Sequence, residues 1–171
     1  MKKAVILSIF AFVITVLVTN IYLKGPSTVK AAVSEQITKE DVRHDSVKYR
    51  IVSVPHSLYT LVIFDIPHKI WLFKKQTFFN KTRYELETSF QTYESTLNKE
   101  IQGYVNGKLA YGLVQIPEGK TAHIKGGKLD VFPIGEYFSE SKYARDYKEL
   151  YFYYLKQRIK VEDDYNPIDI E

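Results

Sequence analysis

The sequence predicts a mainly β protein, with α+β left open: a compact antiparallel β-sandwich or curved sheet of about eight strands, preceded by one N-terminal transmembrane helix. Three observations carry that expectation. After Met1-Lys2-Lys3 comes one long uncharged run. From Val47 onward, short stretches alternate apolar and polar residues with the two-residue period of strands. Asn106-Gly107 and Gly126-Gly127 then interrupt two such stretches with the residues that tight hairpin turns demand, because both supply positive φ.

The uncharged run, residues 4–23, reads AVILSIFAFVITVLVTNIYL. A helix of that length spans roughly 30 Å, the thickness of a hydrocarbon core. Ser8, Thr15 and Thr19 fit there because a hydroxyl can bond a carbonyl of its own helix. The three also share one helical stripe, which suits a contact inside a membrane complex and equally a lone anchor. Two fates compete for the run: an uncleaved anchor, or a signal peptide cut near Ala31. Its length exceeds the usual 7–15-residue core of a signal peptide, and Lys30 beside the cleavage position is unfavourable, so the anchor is favoured. Lys2 and Lys3 on one side and Lys24 and Lys30 on the other give little orientation bias. A three-residue head holds no domain, and the common outcome for so short a head is an extracytoplasmic body, with the reverse topology as the alternative. The expected organisation is an anchor or signal segment over 1–23, a polar stalk over 24–45, and an extracytoplasmic β-rich domain over 46–171. The last is a cell-envelope body of ordinary single-domain size.

The net charge of +4 would suit nucleic acid if it sat on the body. The first thirty residues carry Lys2, Lys3, Lys24 and Lys30 and no acid, which leaves 20 Lys and Arg against 20 Asp and Glu elsewhere. A formally neutral body is unlike a nucleic-acid reader. Cysteine is absent, which excludes disulfides, a thiolate nucleophile and cysteine-zinc sites. Stability must come from packing.

Along the body, residues 24–40 are polar, with Gly25-Pro26 and a short helix opening at Thr38. Residues 47–54 alternate Val47, Tyr49 and Ile51 against Lys48 and Arg50, as a half-buried strand does. Residues 58–66 form a mostly apolar run ended by Pro67, expected as a central strand, and residues 70–73 complete a three-stranded meander. Residues 54–59 and 66–71 echo each other as Pro-His turns into strands. Residues 82–90 set Tyr84, Leu86, Thr88 and Phe90 against Arg83, Glu85, Glu87 and Ser89. The two hairpins follow, joining 101–105 to 109–116 and 121–125 to 128–132. Residues 143–158 are ambiguous: helical spacing links Tyr143, Tyr147, Leu150 and Tyr154, whereas the density of Tyr151-Phe152-Tyr153-Tyr154 favours a strand. A turn at Asn166-Pro167 leads into an acidic tail.

Tyr111-Gly112-Leu113-Val114, the Pro-Glu-Gly turn, the Gly-Gly hairpin, the aromatic run 151–155 and the closing Tyr165-Asn166-Pro167 turn come in a recurring order. That order, over roughly the last seventy residues, resembles small uncharacterised membrane-anchored or exported β-rich proteins of low-GC Gram-positive bacteria. The resemblance implies a β fold and an exported location, and brings no activity and no catalytic residues.

Catalytic patterns are missing: there is no Gly-x-Ser-x-Gly, no His-Glu-x-x-His and no phosphate-loop glycine pattern. The four histidines are His44, His56, His68 and His123; only His44 with His68, near Asp45 and Asp65, could be brought together, and histidines beside prolines ordinarily sit in exposed turns. The acids at 162–164, 169 and 171 lack the glycine of a calcium loop. No metal and no cofactor is expected, and no catalytic residue is assigned. The remaining feature is aromatic surplus, 14 Tyr and 10 Phe. Most of it suits a core, but tyrosines left on an exposed sheet face make a surface for peptide, glycan or protein. Trp71, Tyr151 and Tyr153 are the candidates. The expectation is a non-enzymatic binding, sensing or accessory module, with the membrane and an envelope protein as partners. No nucleic acid or small-molecule substrate is indicated. An envelope enzyme with an unrecognised site, and a small structural subunit of a membrane complex, are the rivals.

Overall fold

The computed structural model describes residues 2–22, 24–40, 48–65, 69–78, 80–91, 101–105, 107–124, 127–138, 147–160 and 167–171. Two helices come first, α1 (Lys2–Tyr22) and α2 (Val29–Lys39). Strands β1 (Tyr49–Ser53), β2 (Tyr59–Phe64), β3 (Lys69–Phe78) and β4 (Lys81–Gln91) pair in sequence order as one sheet. Strands β5 (Ile101–Val105), β6 (Lys108–Gln115), β9 (Val131–Pro133) and β10 (Leu150–Lys160) form a second sheet in the order β5-β6-β10-β9. The third sheet, β11-β7-β8, joins Ala122–Ile124 (β7), Gly127–Lys128 (β8) and Ile168–Ile170 (β11). The chain is thus mainly β, with eleven antiparallel strands among the described residues where about eight were expected.

Two compact units divide the chain. The first comprises Met1–Ser46, Ile51–Val62 and Leu72–Glu87; the second comprises Val47–Arg50, Ile63–Trp71 and Thr88–Glu171.

In the first unit, the segment expected as a polar stalk carries α2, which starts well before Thr38. Thr28, extended at φ −129°, caps it by accepting a hydrogen bond from Ala31 N at 3.2 Å. Val29, Ala32, Val33, Gln36 and Ile37 follow the helical period, and Ala32, Val33 and Ile37 are buried. α1 is the opposite case. Its large apolar side chains from Val5 to Val18 are all exposed, at 41–74%. Side chains are described for residues 5–18, about 21 Å of helix. Among the described residues no helix is long and apolar enough to cross a membrane. The transmembrane span expected over residues 4–23 is longer than this described stretch.

The turn between β1 and β2 explains the first Pro-His pair. His56 is exposed at φ +55°, Ser57 Oγ donates to Val54 O at 2.9 Å and accepts from Tyr59 N at 3.0 Å, and Val54 N donates to Tyr59 O at 3.1 Å. The second pair, at 66–68, lies outside the described residues. β3 runs on to Phe78, well past the expected 70–73.

In the second unit, the Asn106-Gly107 hairpin is as expected: Val105 pairs with Lys108, and Gly107 takes φ +68°. Gly103 sits opposite Tyr111, and a Cβ there would collide with the tyrosine ring, so the position accepts only glycine without rearrangement. The second hairpin is displaced by one residue. Gly127 itself pairs with Ile124, and residues 125–126 lie outside the described residues. That register puts Ala122 and Leu129 together in the core, with Leu129 N donating to Ala122 O at 2.8 Å. The ambiguous 143–158 segment is a strand from Leu150 onward; residues 143–146 lie outside the description. The acidic tail contains a further strand: Ile168, Asp169 and Ile170 pair with Ile124, His123 and Ala122.

Candidate functional site

The three aromatic candidates do not make a surface. Trp71 is 1% exposed, packed edge-on to Phe64 with ring centroids 4.6 Å apart, and Lys69 Nζ lies 5.1 Å from its ring centroid. Tyr153 is 0% exposed, clustered with Leu109, Val114, Ile116 and Ile168, and Tyr151 is half-buried against the same cluster. The reason is topological. β10 lies inside its sheet, between β6 and β9, so Phe152 and Tyr153 are buried in succession instead of alternating inward and outward. Trp71 and Tyr153 are core residues, and their size contributes packing there.

Of the histidines, His56 is an exposed turn residue and His123 lies 2.9 Å from Thr121 Oγ1 through its Nε2. His44, Asp45 and His68, the centre of the only imagined metal site, lie outside the described residues. Among the described residues no group of His, Asp and Glu is placed to hold a metal ion. The tail acids at 162–164 are likewise outside the description. Asp169 is paired opposite His123, and the main chain of Glu171 exchanges hydrogen bonds with Thr121, at 3.0 Å and 2.8 Å.

The structure instead forms a cleft of about 360 Å³ within the first unit. Its rim begins at Lys24, Gly25 and Pro26, the link between α1 and α2. α2 contributes Ala32, Glu35, Gln36 and Lys39, and β3 and β4 contribute Phe73, Arg83, Tyr84, Glu85 and Leu86. Three cations and two carboxylates thus face one cavity whose volume lies within the small-molecule range.

Local structure holds these groups in place. The link is fastened to β4 by a hydrogen bond from Tyr84 N to Pro26 O at 3.0 Å, and a Cβ added at Gly25 would come to rest against the Arg83 stem. The Arg83 guanidinium is half-buried and held by two acceptors: its Nε donates to Gln76 Oε1 and its Nη2 to Glu85 Oε2, both at 2.9 Å. Gln76 Nε2 closes the triangle by donating to Glu85 Oε2 at 2.8 Å. Glu35 is paired with Lys39 at 2.7 Å on the exposed face of α2. Both carboxylates are therefore matched to cations, an arrangement suited to orienting polar and charged partners. Among the described residues the cleft lining holds no serine, histidine or aspartate.

Sequence reasoning missed this cleft because no motif marks it. Its residues come from two stretches, 24–39 and 73–86, which read separately as a stalk and a solvated strand. The helical spacing of Val29, Ala32, Val33 and Ile37 behind Thr28 was the available signal. It implies that the link packs against something.

Compared with models of known families, with curated proteins and with solved structures, the chain matches none.

Proposed function

We propose that this chain is a single-pass cell-membrane protein, anchored by its first helix with an extracytoplasmic body, and that the body is a non-catalytic binding or accessory module of the cell envelope. The observation that carries the reading is the exposure of α1. From Val5 to Val18 its large side chains face outward at 41–74%, on every side. A helix apolar all round is costly in water and favourable in lipid, where each such residue gains about 0.3–0.6 kcal/mol. Thr15, the polar exception with a described bond, donates its hydroxyl to Ala11 O at 2.8 Å, which satisfies it without solvent. The sequence adds the missing length: residues 4–23 carry no charge.

The module reading is supported by the cleft, which gathers the ionic side chains of Lys24, Glu35, Lys39, Arg83 and Glu85. The likeness of the last seventy residues to exported β-rich proteins of low-GC Gram-positive bacteria points the same way. Trp71 and Tyr153 are withdrawn as contact residues, and the cleft residues Lys24, Arg83 and Glu85 take their place.

The test is addition of protease to intact cells, with the intact mass of the recovered chain. Full-length mass in the membrane fraction and a body digested from outside are expected. A protected body reverses the topology, and a mass starting near Ala32 in the medium replaces the anchor with a cleaved signal peptide.

A further inference from the structure

The β3–β4 hairpin is tied to the end of α1. Lys81, the first residue of β4, bonds through its ammonium to the side chain of Asn20 in the last turn of α1. Two and three residues further along β4, the Arg83 stem is where a Cβ added at Gly25 would make contact, and Tyr84 N bonds Pro26 O. β4 thus meets the last turn of α1 at Lys81 and the link that follows it at Arg83 and Tyr84. The end of the strand pair beside α1 is the end that carries Phe78 and Lys81, and Asn20 is itself inside the uncharged run that ends at Leu23.

What this end of the hairpin carries fits a place beside the last turn of α1. Phe78 is 48% exposed at the end of β3, one of the few large apolar side chains outside α1 to be so exposed. Phe79 follows it in the sequence, and Lys81 flanks the pair. A large apolar ring beside a lysine suits a membrane surface, where the ring is buried at the boundary of headgroups and acyl chains and the amine reaches the phosphates.

From this we infer that the tip of the β3–β4 hairpin is a second membrane contact: Phe78 lies in the headgroup region of the bilayer that holds α1, and Lys81 faces lipid phosphates there. This rests on the anchor reading above. Its consequence is mechanical. A single helix lets a body rotate and tilt freely, whereas a helix with an interfacial hairpin beside it fixes the orientation of the first unit. The cleft, whose rim starts at Lys24, is then held close to the membrane surface.

The chain has no cysteine, so each introduced one is a unique labelling site. Full-length F78C, F12C and E118C chains, labelled with an environment-sensitive fluorophore, are reconstituted in vesicles of phosphatidylcholine and phosphatidylglycerol. Quenching by headgroup-level nitroxide lipid is compared with quenching by aqueous iodide. The expected result is blue-shifted emission at 78, with several-fold stronger lipid quenching than at 118, and iodide shielding at 12. A label at 12 that is shielded while the label at 78 behaves as at 118 overturns the hairpin contact and leaves the anchor standing. A label at 12 that is open to iodide overturns both. As a check on folding, the F78C chain should keep the urea midpoint of the unsubstituted chain, and an aqueous label at 78 in a chain that passes this check overturns the contact.

Discussion

The two helices of the first unit begin within thirty residues of each other and are patterned differently. α2 is short, at 11 residues, and follows the rules of a helix in water. It has a threonine cap, a Glu35–Lys39 pair one turn apart on its exposed face, a lysine in its last turn and a buried stripe of Ala32, Val33 and Ile37. Further bonds on its outer face run from Gln36 Nε2 to Glu40 Oε1 at 3.0 Å and from Thr38 Oγ1 to Ser34 O at 2.9 Å. α1 has none of this patterning along residues 5–18. It carries no charge there and no buried stripe, and its Thr15 hydroxyl is turned back on its own backbone. The difference teaches that burial in this chain follows pattern more than hydrophobicity. The less apolar helix is the one that packs, because its few apolar residues share a face.

That contrast can be broken at several points. The largest effect is expected at Ile37, which is 5% exposed. Ile37→Ala should cost about 2–5 kcal/mol in urea-induced unfolding, through lost burial and the cavity left behind. An unchanged midpoint would show that α2 does not contribute its apolar face to a core. Next comes Val13→Arg, at the middle of α1. On an insertion scale it should cost about 2.5–3.5 kcal/mol, read as a fall in the inserted fraction during cell-free synthesis with vesicles. The same variant should leave the unfolding midpoint of the body in place. Thr28→Ala removes the cap and should cost about 1 kcal/mol, whereas Thr28→Asp should retain most of the stability, since its carboxylate also accepts from the first turn. The smallest effect is expected for Lys39→Ala: its pair with Glu35 is exposed, and a loss of no more than about 0.5 kcal/mol should shrink further in high salt.

Much of the strand order could be read directly from the residues, and the reasons are local. Asn106-Gly107 dictated a two-residue turn, and the alternation of residues 82–90 was enough to place β4, an edge strand with Phe90 buried. Other features depend on partners that no local pattern names. The Gly126-Gly127 turn shifted by one residue because the core positions of Ala122 and Leu129 set the register. β11 looked like a solvated tail, since Ile168 and Ile170 flank Asp169 in a stretch of acids, and only pairing with β7 makes it a strand. The chemistry of Trp71 and Tyr153 suits a surface, yet both fall in the stretches of internal strands, 70–73 and 152–153, where successive residues are buried. The cleft was the least legible feature: Arg83 reads as the outer face of an alternating strand until Gln76, Glu85 and Gly25 are seen around it.

The central claim is that α1 is built for lipid, and the most direct measurement is alkaline carbonate extraction of membranes carrying the full chain. The account predicts that the chain stays in the pellet, since carbonate strips proteins held by charge or by other proteins and leaves those whose helices lie in hydrocarbon. Release of the full-length chain into the supernatant would contradict it, and would mean that the exposed face of α1 is covered by protein.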